Sequence, residues 1–182
     1  MIVHATPIPG VLVFEPKLWH DHRGYFLELF RENAYAEHGL RGPWVQDNAS
    51  HSPKGVLRGL HFQWPNPQGK LVQALTGEIW DVAVDIRAGS STYGQWYGET
   101  LTEENRKQLW IPEGFAHGFV VLSETALVSY KVTSYFDAKA DSGIHWHDPE
   151  LAIAWPTCDV TVSDKDKGLP LLSELDDIRK PR

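Results

Sequence analysis

LVQALTGEIWDVAVDIR, from Leu71 to Arg87, decides the fold class. In its second half Trp80, Val82, Val84 and Ile86 alternate with Asp81, Asp85 and Arg87. A period of two marks a β-strand, because successive side chains point to opposite faces. Leu71 to Leu75 supplies a partner arm, and Thr76-Gly77 between the arms reads as a hairpin turn. Working outward, strand-like runs recur at Val11 to Glu15, Tyr25 to Phe30, Val45 to Ser50 and Val56 to Gln63. Further runs lie at Gly94 to Leu101, Gln108 to Ile111, Phe119 to Leu122 and Ala126 to Thr133. Asp21-His22-Arg23-Gly24, Ser52-Pro53-Lys54-Gly55 and Thr102-Glu103-Glu104-Asn105 punctuate them as turns. Arg31 to His38 suits a short helix closed by Gly39. The charged tail from Asp164 to Arg182 suits loop and short helix. About ten short strands at regular spacing predict one all-β domain, a sandwich or barrel spanning residues 1–182.

Composition agrees. At 182 residues and 42% hydrophobic content the chain has enough apolar material for one real core. Its single cysteine, Cys158, excludes an internal disulfide and points to a reducing compartment. MIVHATPIPG lacks a basic segment followed by a long apolar run, so no signal peptide is expected. No stretch reaches the roughly 20 apolar residues of a membrane span, so the expected location is the cytoplasm. A net charge of −7 argues against nucleic acid, whose binding needs a basic stripe. A small anionic ligand is still compatible, since a few converging Arg and Lys create a local positive site.

The chemistry concentrates in GVLRGLHFQ, Gly55 to Gln63, with Lys70 nine residues beyond His61. Imidazole titrates near neutrality and can remove a proton beside a carbonyl; a nearby ammonium can hold the oxyanion that results. Strict alternation puts Arg58 and His61 on opposite faces, and Gly59 is where a bulge would bring both inward. A metal-binding cupin barrel resembles a His-x-His pair with a Glu on one strand and a further His on a later one. Pro112-Glu113-Gly114-Phe115-Ala116-His117 matches the later half. The first half fails, because Gln63 stands where the second histidine is needed. Two histidines without a carboxylate make a poor divalent-metal site. Taken singly, each residue has an ordinary reading: His61 a core histidine, Lys70 a solvated lysine, Asp81 and His117 a satisfied polar pair. Tyr130 passes for a half-buried cross-strand aromatic, and Phe136, Trp80 and Trp96 for core.

Together they are recognisable. The chain resembles the dTDP-4-dehydrorhamnose 3,5-epimerase family through an ordered series of segments. These are Asp21-His22-Arg23-Gly24-Tyr25-Phe26, Gln46-Asp47-Asn48, GVLRGLHFQ, QGKLV, GEIWDVAVDIR, YGQW, NRKQLWIPEGFAHGFVVLSE, SYKVTSY and SDKD, Ser163 to Asp166. The resemblance implies a metal-free, cupin-like jelly roll that dimerises by exchanging N-terminal strands. It implies inversion at carbons 3 and 5 of dTDP-4-keto-6-deoxyglucose with no cofactor, for dTDP-L-rhamnose biosynthesis.

By the same resemblance, His61 is the general base and Asp166 orients it. Lys70 stabilises the enolate at the carbon 4 oxygen, and Tyr130 returns a proton from the opposite face. Arg23, Phe26, Glu28, Gln46, Asp47, Asn48, Arg58, His117, Asp141 and Lys165 are the implied substrate contacts, with Asp81 supporting His117. Phe136 stands where many members carry a tyrosine that stacks on thymine, keeping the face and losing the hydroxyl. Asp141 stands where Glu is common and shortens that reach. Three other readings compete. A single-site epimerase shares the base; a binding module without turnover would lack His61, Tyr130 or Asp166; a metal-dependent cupin is opposed by Gln63.

Overall fold

The computed structural model describes residues 1–175. In chain order its strands begin with β1 (Ile2–Ala5), β2 (Leu12–Glu15), β3 (Leu18–Asp21) and β4 (Gly24–Leu27), followed by helix α1 (Glu32–Ala36). The long antiparallel run is β5 (Gln46–Pro53), β6 (Leu57–Gln63), β7 (Lys70–Thr76), β8 (Glu78–Asp85) and β9 (Trp96–Thr102). It continues through β10 (Gln108–Ile111), β11 (Phe115–Val121), β12 (Thr125–Val132) and β13 (Asp141–Gly143) to helix α2 (Asp164–Lys167).

Two sheets face each other in a jelly-roll sandwich, as the resemblance implies. One has the order β1-β2-β10-β7-β12-β5, the other β13-β6-β11-β8-β9. Strands β3 and β4 form a separate two-stranded ribbon. Every named pairing is antiparallel, so short turns suffice between neighbours such as β7 and β8.

The period of two in β8 has more consequence than a half-buried strand would give. Val82 and Val84 pack with Ile86 into a cluster on the outer side of their sheet, closed by Ile144, Leu151, Leu172 and Leu175. Ile79 and Ala83, on the alternate face, join Val72, Ala74, Leu109, Phe115 and Val128 between the sheets. Both faces are therefore covered, and Asp81 and Asp85 end up fully buried instead of facing solvent.

The sequence reading and the structure differ at edges. β1, β3 and β13 have no strong alternation; β1 and β13 lie at sheet edges and β3 in the exposed ribbon, and all three escape notice. β11 starts at Phe115, four residues before its expected start, because Gly114 turns the chain with φ +87° immediately ahead of it. β4 stops at Leu27, so Phe30 leaves the ribbon and packs near α1 with Tyr35 and Leu40. Phe136 is 55% exposed and is not core. The helix expected in the tail is α2; residues 176–182 of that segment lie outside the described residues. No described helix is long and apolar enough to cross a membrane.

Candidate active site

Between the sheets, at the end carrying β5, β6 and β12, the apolar filling gives way to a cavity of roughly 390 Å³. Alternation on each strand selects its lining. From β5 come Gln46, Asn48 and Ser50; from β7 and β12 come Lys70 and Tyr130; from β6 and β11 come Arg58, His61, His117 and Phe119. Phe136, Asp141 and Lys165 complete it from the flanking segments.

Arg58 and His61 both reach this space because β6 is irregular between them. His117 pairs with His61 and Phe119 with Arg58, so two residues of β6 stand opposite the single Gly118 of β11. Gly59 occupies the irregularity with φ +128°. A Cβ there would lie 2.6 Å from the Cα of Gly118, so both strands need glycine at this crossing. Arg58 is exposed at the cavity edge and donates to Ser52 Oγ from Nε at 3.1 Å and from a terminal nitrogen at 3.0 Å.

His61 Nε2 lies 2.7 Å from Asp166 Oδ1. The partner arrives by local capping chemistry. Ser163 caps α2 by accepting from the Asp166 backbone N–H at 3.1 Å, and the single helical turn directs the carboxylate back at β6. There Asp166 Oδ2 also accepts from the Gly59 backbone N–H at 3.4 Å. Burial alone would raise the Asp166 pKa; hydrogen bonds from His61, Gly59 and Ser163, with attraction from His61, outweigh it and hold the carboxyl below its usual range. The carboxylate thus stays ionised beside the imidazole.

Lys70 opens β7 and is buried. It reaches from the sheet opposite β6 and donates to the His61 carbonyl at 3.5 Å. Burial lowers its pKa to about 8, against attraction from Asp81 and Asp141. Gly69 lets the chain enter this position, because a Cβ would sit 2.5 Å from the Trp110 ring. Tyr130 projects from the neighbouring strand, one pleat from the Val132–Lys70 pair. Burial raises its phenol pKa, with the Arg58 cation pulling the other way, so the group keeps its proton at neutral pH.

His117 Nε2 lies 2.7 Å from Asp81 Oδ1. Burial pushes His117 down and Asp81 up, each toward its neutral form. Lys165 forms an ion pair with Asp141, and Gln46 Nε2 donates to Asn48 Oδ1 at 2.7 Å.

Four expected contacts lie elsewhere. Asp47 alternates outward from Gln46 and Asn48 and pairs with Lys131 at 2.6 Å. Arg23, Phe26 and Glu28 do not line their own chain's cavity. Arg23 is held by Asp21 on the exposed β3–β4 ribbon, Phe26 is 68% exposed there, and Glu28 pairs with Arg31 at 3.0 Å. Conversely, Ser50, Phe62, Gln63, Gln68 and Phe119 line the cavity although the resemblance does not imply them as contacts. Stepping by two from Asn48 and from His117 identifies Ser50 and Phe119; Gln68 lies before a strand and gives no such signal.

The sequence model of dTDP-4-dehydrorhamnose 3,5-epimerases matches residues 5–174. The chain belongs to that family. It is 51% identical to the dTDP-4-dehydrorhamnose 3,5-epimerase of Salmonella typhimurium over 177 residues, covering 96% of this chain and 97% of that one. Identity to the Pseudomonas aeruginosa enzyme of the same name is 52% over 170 residues, covering 93% and 89%. Among solved structures, the dTDP-6-deoxy-D-glucose-3,5-epimerase of Legionella pneumophila, in complex with dTDP-4-keto-L-rhamnose, superposes with a TM-score of 0.97. It is 49% identical and covers 100% of this chain and 97% of its own. His61, Lys70 and Tyr130 line one cavity, and Asp166 stands behind His61 as its hydrogen-bond partner.

Proposed function

We infer that this chain is a dTDP-4-dehydrorhamnose 3,5-epimerase. It converts dTDP-4-keto-6-deoxy-D-glucose to dTDP-4-keto-L-rhamnose for dTDP-L-rhamnose biosynthesis. The observation that carries the reading is that a histidine–carboxylate dyad and a protonated phenol face one cavity from opposite sheets.

Carbons 3 and 5 both flank the carbon 4 ketone, so loss of either proton moves an electron pair onto the ketone oxygen. In the proposed mechanism His61 takes the proton, and Asp166 favours the imidazolium that forms. Lys70 holds the enolate oxygen, and fixed charge in a water-poor site is where such stabilisation counts most. Tyr130 then delivers its phenolic proton to the same carbon from the other face, which inverts the centre. The imidazolium and phenolate re-equilibrate through solvent before the next abstraction. A single base would return the proton to the side it came from. The opposed walls are what inversion requires.

For the nucleotide, Arg58 and Lys165 offer donors to a diphosphate, Gln46, Asn48, His117 and Asp141 offer polar contacts, and Phe136 offers an aromatic face. Arg23, Phe26 and Glu28 are assigned to the cavity of a second copy. The ribbon leaves Trp19, Tyr25 and Phe26 exposed, with Leu29 just beyond it, an apolar group that a homodimer would cover. We assign the 182 residues to one domain working in the cytoplasm as this dimer, and sedimentation of the protein as a monomer at micromolar concentration would contradict the assembly.

The test is proton NMR of dTDP-4-keto-6-deoxyglucose with metal-stripped protein. Formation of the doubly inverted sugar is expected. Inversion at one carbon alone would contradict the assignment and identify a single-site epimerase.

A further inference from the structure

Gln63, whose place in the sequence argues only against a metal, has a role the mechanism leaves unused. It ends β6 and is buried to 4% exposure, and its side-chain amide makes three hydrogen bonds, none of them to another barrel strand. Its Nε2 donates to the carbonyls of Asn66 at 3.0 Å and Tyr135 at 3.2 Å. Its Oε1 accepts from the Asp137 backbone N–H at 2.9 Å. Tyr135 and Asp137 are the two neighbours of Phe136. One primary amide therefore grips the backbone on both sides of the exposed ring, as a strand partner would grip a ladder.

The Trp64–Pro67 loop serves the same end. Asn66, at φ +64°, accepts from Ser134 Oγ at 3.3 Å as well as from Gln63, and Pro67 accepts from Ser134 Oγ at 2.9 Å. The two loops are thus laced through side chains and have no sheet of their own. Phe136 is further held where its N–H donates to Gln46 Oε1 at 3.0 Å.

We propose that Gln63 is the positioning residue for Phe136, bracing the irregular segment that carries this ring so that it presents a fixed face to the nucleoside base of the substrate. The proposal rests on Phe136 being the base-stacking group. A fixed platform lowers the ordering cost of binding, so the brace acts on nucleotide affinity and not on the proton transfers. A purely structural amide would have no reason to depend on the Phe136 ring.

The experiment measures dTDP binding by calorimetry and steady-state turnover for four proteins: unaltered, Gln63→Glu, Phe136→Ala and the double variant. Glutamate keeps the shape and the acceptor for Asp137 but turns an oxygen toward two carbonyls. Gln63→Glu should weaken dTDP binding roughly tenfold and raise KM, with a far smaller change in kcat. In the Phe136→Ala background the same change should cost almost nothing more. Penalties that multiply, or a loss of kcat at unchanged affinity, would overturn the brace. Unaltered protein that neither binds dTDP nor turns over would instead overturn the functional reading, and the platform with it. Hydrogen exchange on unaltered protein removes any dependence on the variants folding. The Asp137 amide should be protected like a strand amide, and exchange at the rate of an open loop would overturn the proposal.

Discussion

The space between the two sheets is filled in opposite ways at its two ends, by the same strands. On β7, Val72 and Ala74 enter the core, whereas Lys70 at the strand's beginning enters the cavity. On β12, Val128 lies in the core and Tyr130 at the cavity. On β11, Val121 is core while His117 lines the cavity, with Phe119 at the boundary between them. A single alternation thus runs from a dry packed region into a polar site without any change of secondary structure. The apolar end fixes the strand spacing, and the polar end spends that rigidity on groups whose burial is unfavourable. Fold and chemistry are two lengths of one inner surface.

Removing the proposed base should have the largest effect. His61→Ala is expected to slow entry of solvent deuterium at carbons 3 and 5 by on the order of a thousandfold, with the fold intact. Residual exchange near the original rate would mean that another group removes the protons.

Lys70 sharpens the contrast because it should trade stability for rate. Its pKa shift from 10.5 to about 8 corresponds to roughly 3 kcal/mol of unfavourable burial of the cation. A lysine whose folded pKa is lowered destabilises the fold below that pKa, and the penalty disappears as pH rises from about 8 toward 10.5. Lys70→Met should therefore lower kcat on the order of a hundredfold while leaving the melting temperature at neutral pH equal or higher. A lower melting temperature would show that the ammonium supports the fold. The same pKa sets an alkaline limb in the unaltered enzyme: kcat/KM should decline with a midpoint near pH 8 as Lys70 loses its charge. A profile flat through pH 9 would contradict a required Lys70 cation.

A change at the apolar end should do the reverse. Leu109 is fully buried in the inter-sheet cluster, and Leu109→Ala should destabilise unfolding equilibria by about 2–5 kcal/mol. Turnover per folded molecule at low temperature should stay within about twofold, because the cavity lining is unaltered. A large loss of kcat in folded protein would show that the two ends are coupled more tightly than the packing suggests.

How much was legible depended on what kind of signal each residue left. Alternation in Glu78 to Asp85 exposes the fold class directly, and the turn glycines punctuate the rest. His61 and Asp166 meet across 105 residues, a pairing that only resemblance to the family could suggest. Arg58 and His61 violate strict alternation, and the sequence offers Gly59 as the place for the irregularity without fixing it. The burial of Lys70 was illegible because it follows from the opposing sheet, not from its own neighbours. Phe136 passes for core when read alone, because an aromatic residue next to a strand is ordinarily packed; only the resemblance puts it at the substrate, and in the structure it lines the cavity from a braced loop. Arg23 and Phe26 sit on the exposed ribbon and Glu28 just beyond it, away from their own chain's cavity, so nothing in their local sequence marks them as contacts and only the resemblance suggests it.

In the proposed mechanism base and acid act from opposite walls of one cavity. The most direct measurement follows Tyr130→Phe with dTDP-4-keto-6-deoxyglucose in heavy water by NMR, recording deuterium entry and configuration at carbons 3 and 5 together. Deuterium should still enter, because His61 remains, while net inversion falls by on the order of a hundredfold or more. Equal loss of exchange and inversion, or inversion at the original rate, would contradict it.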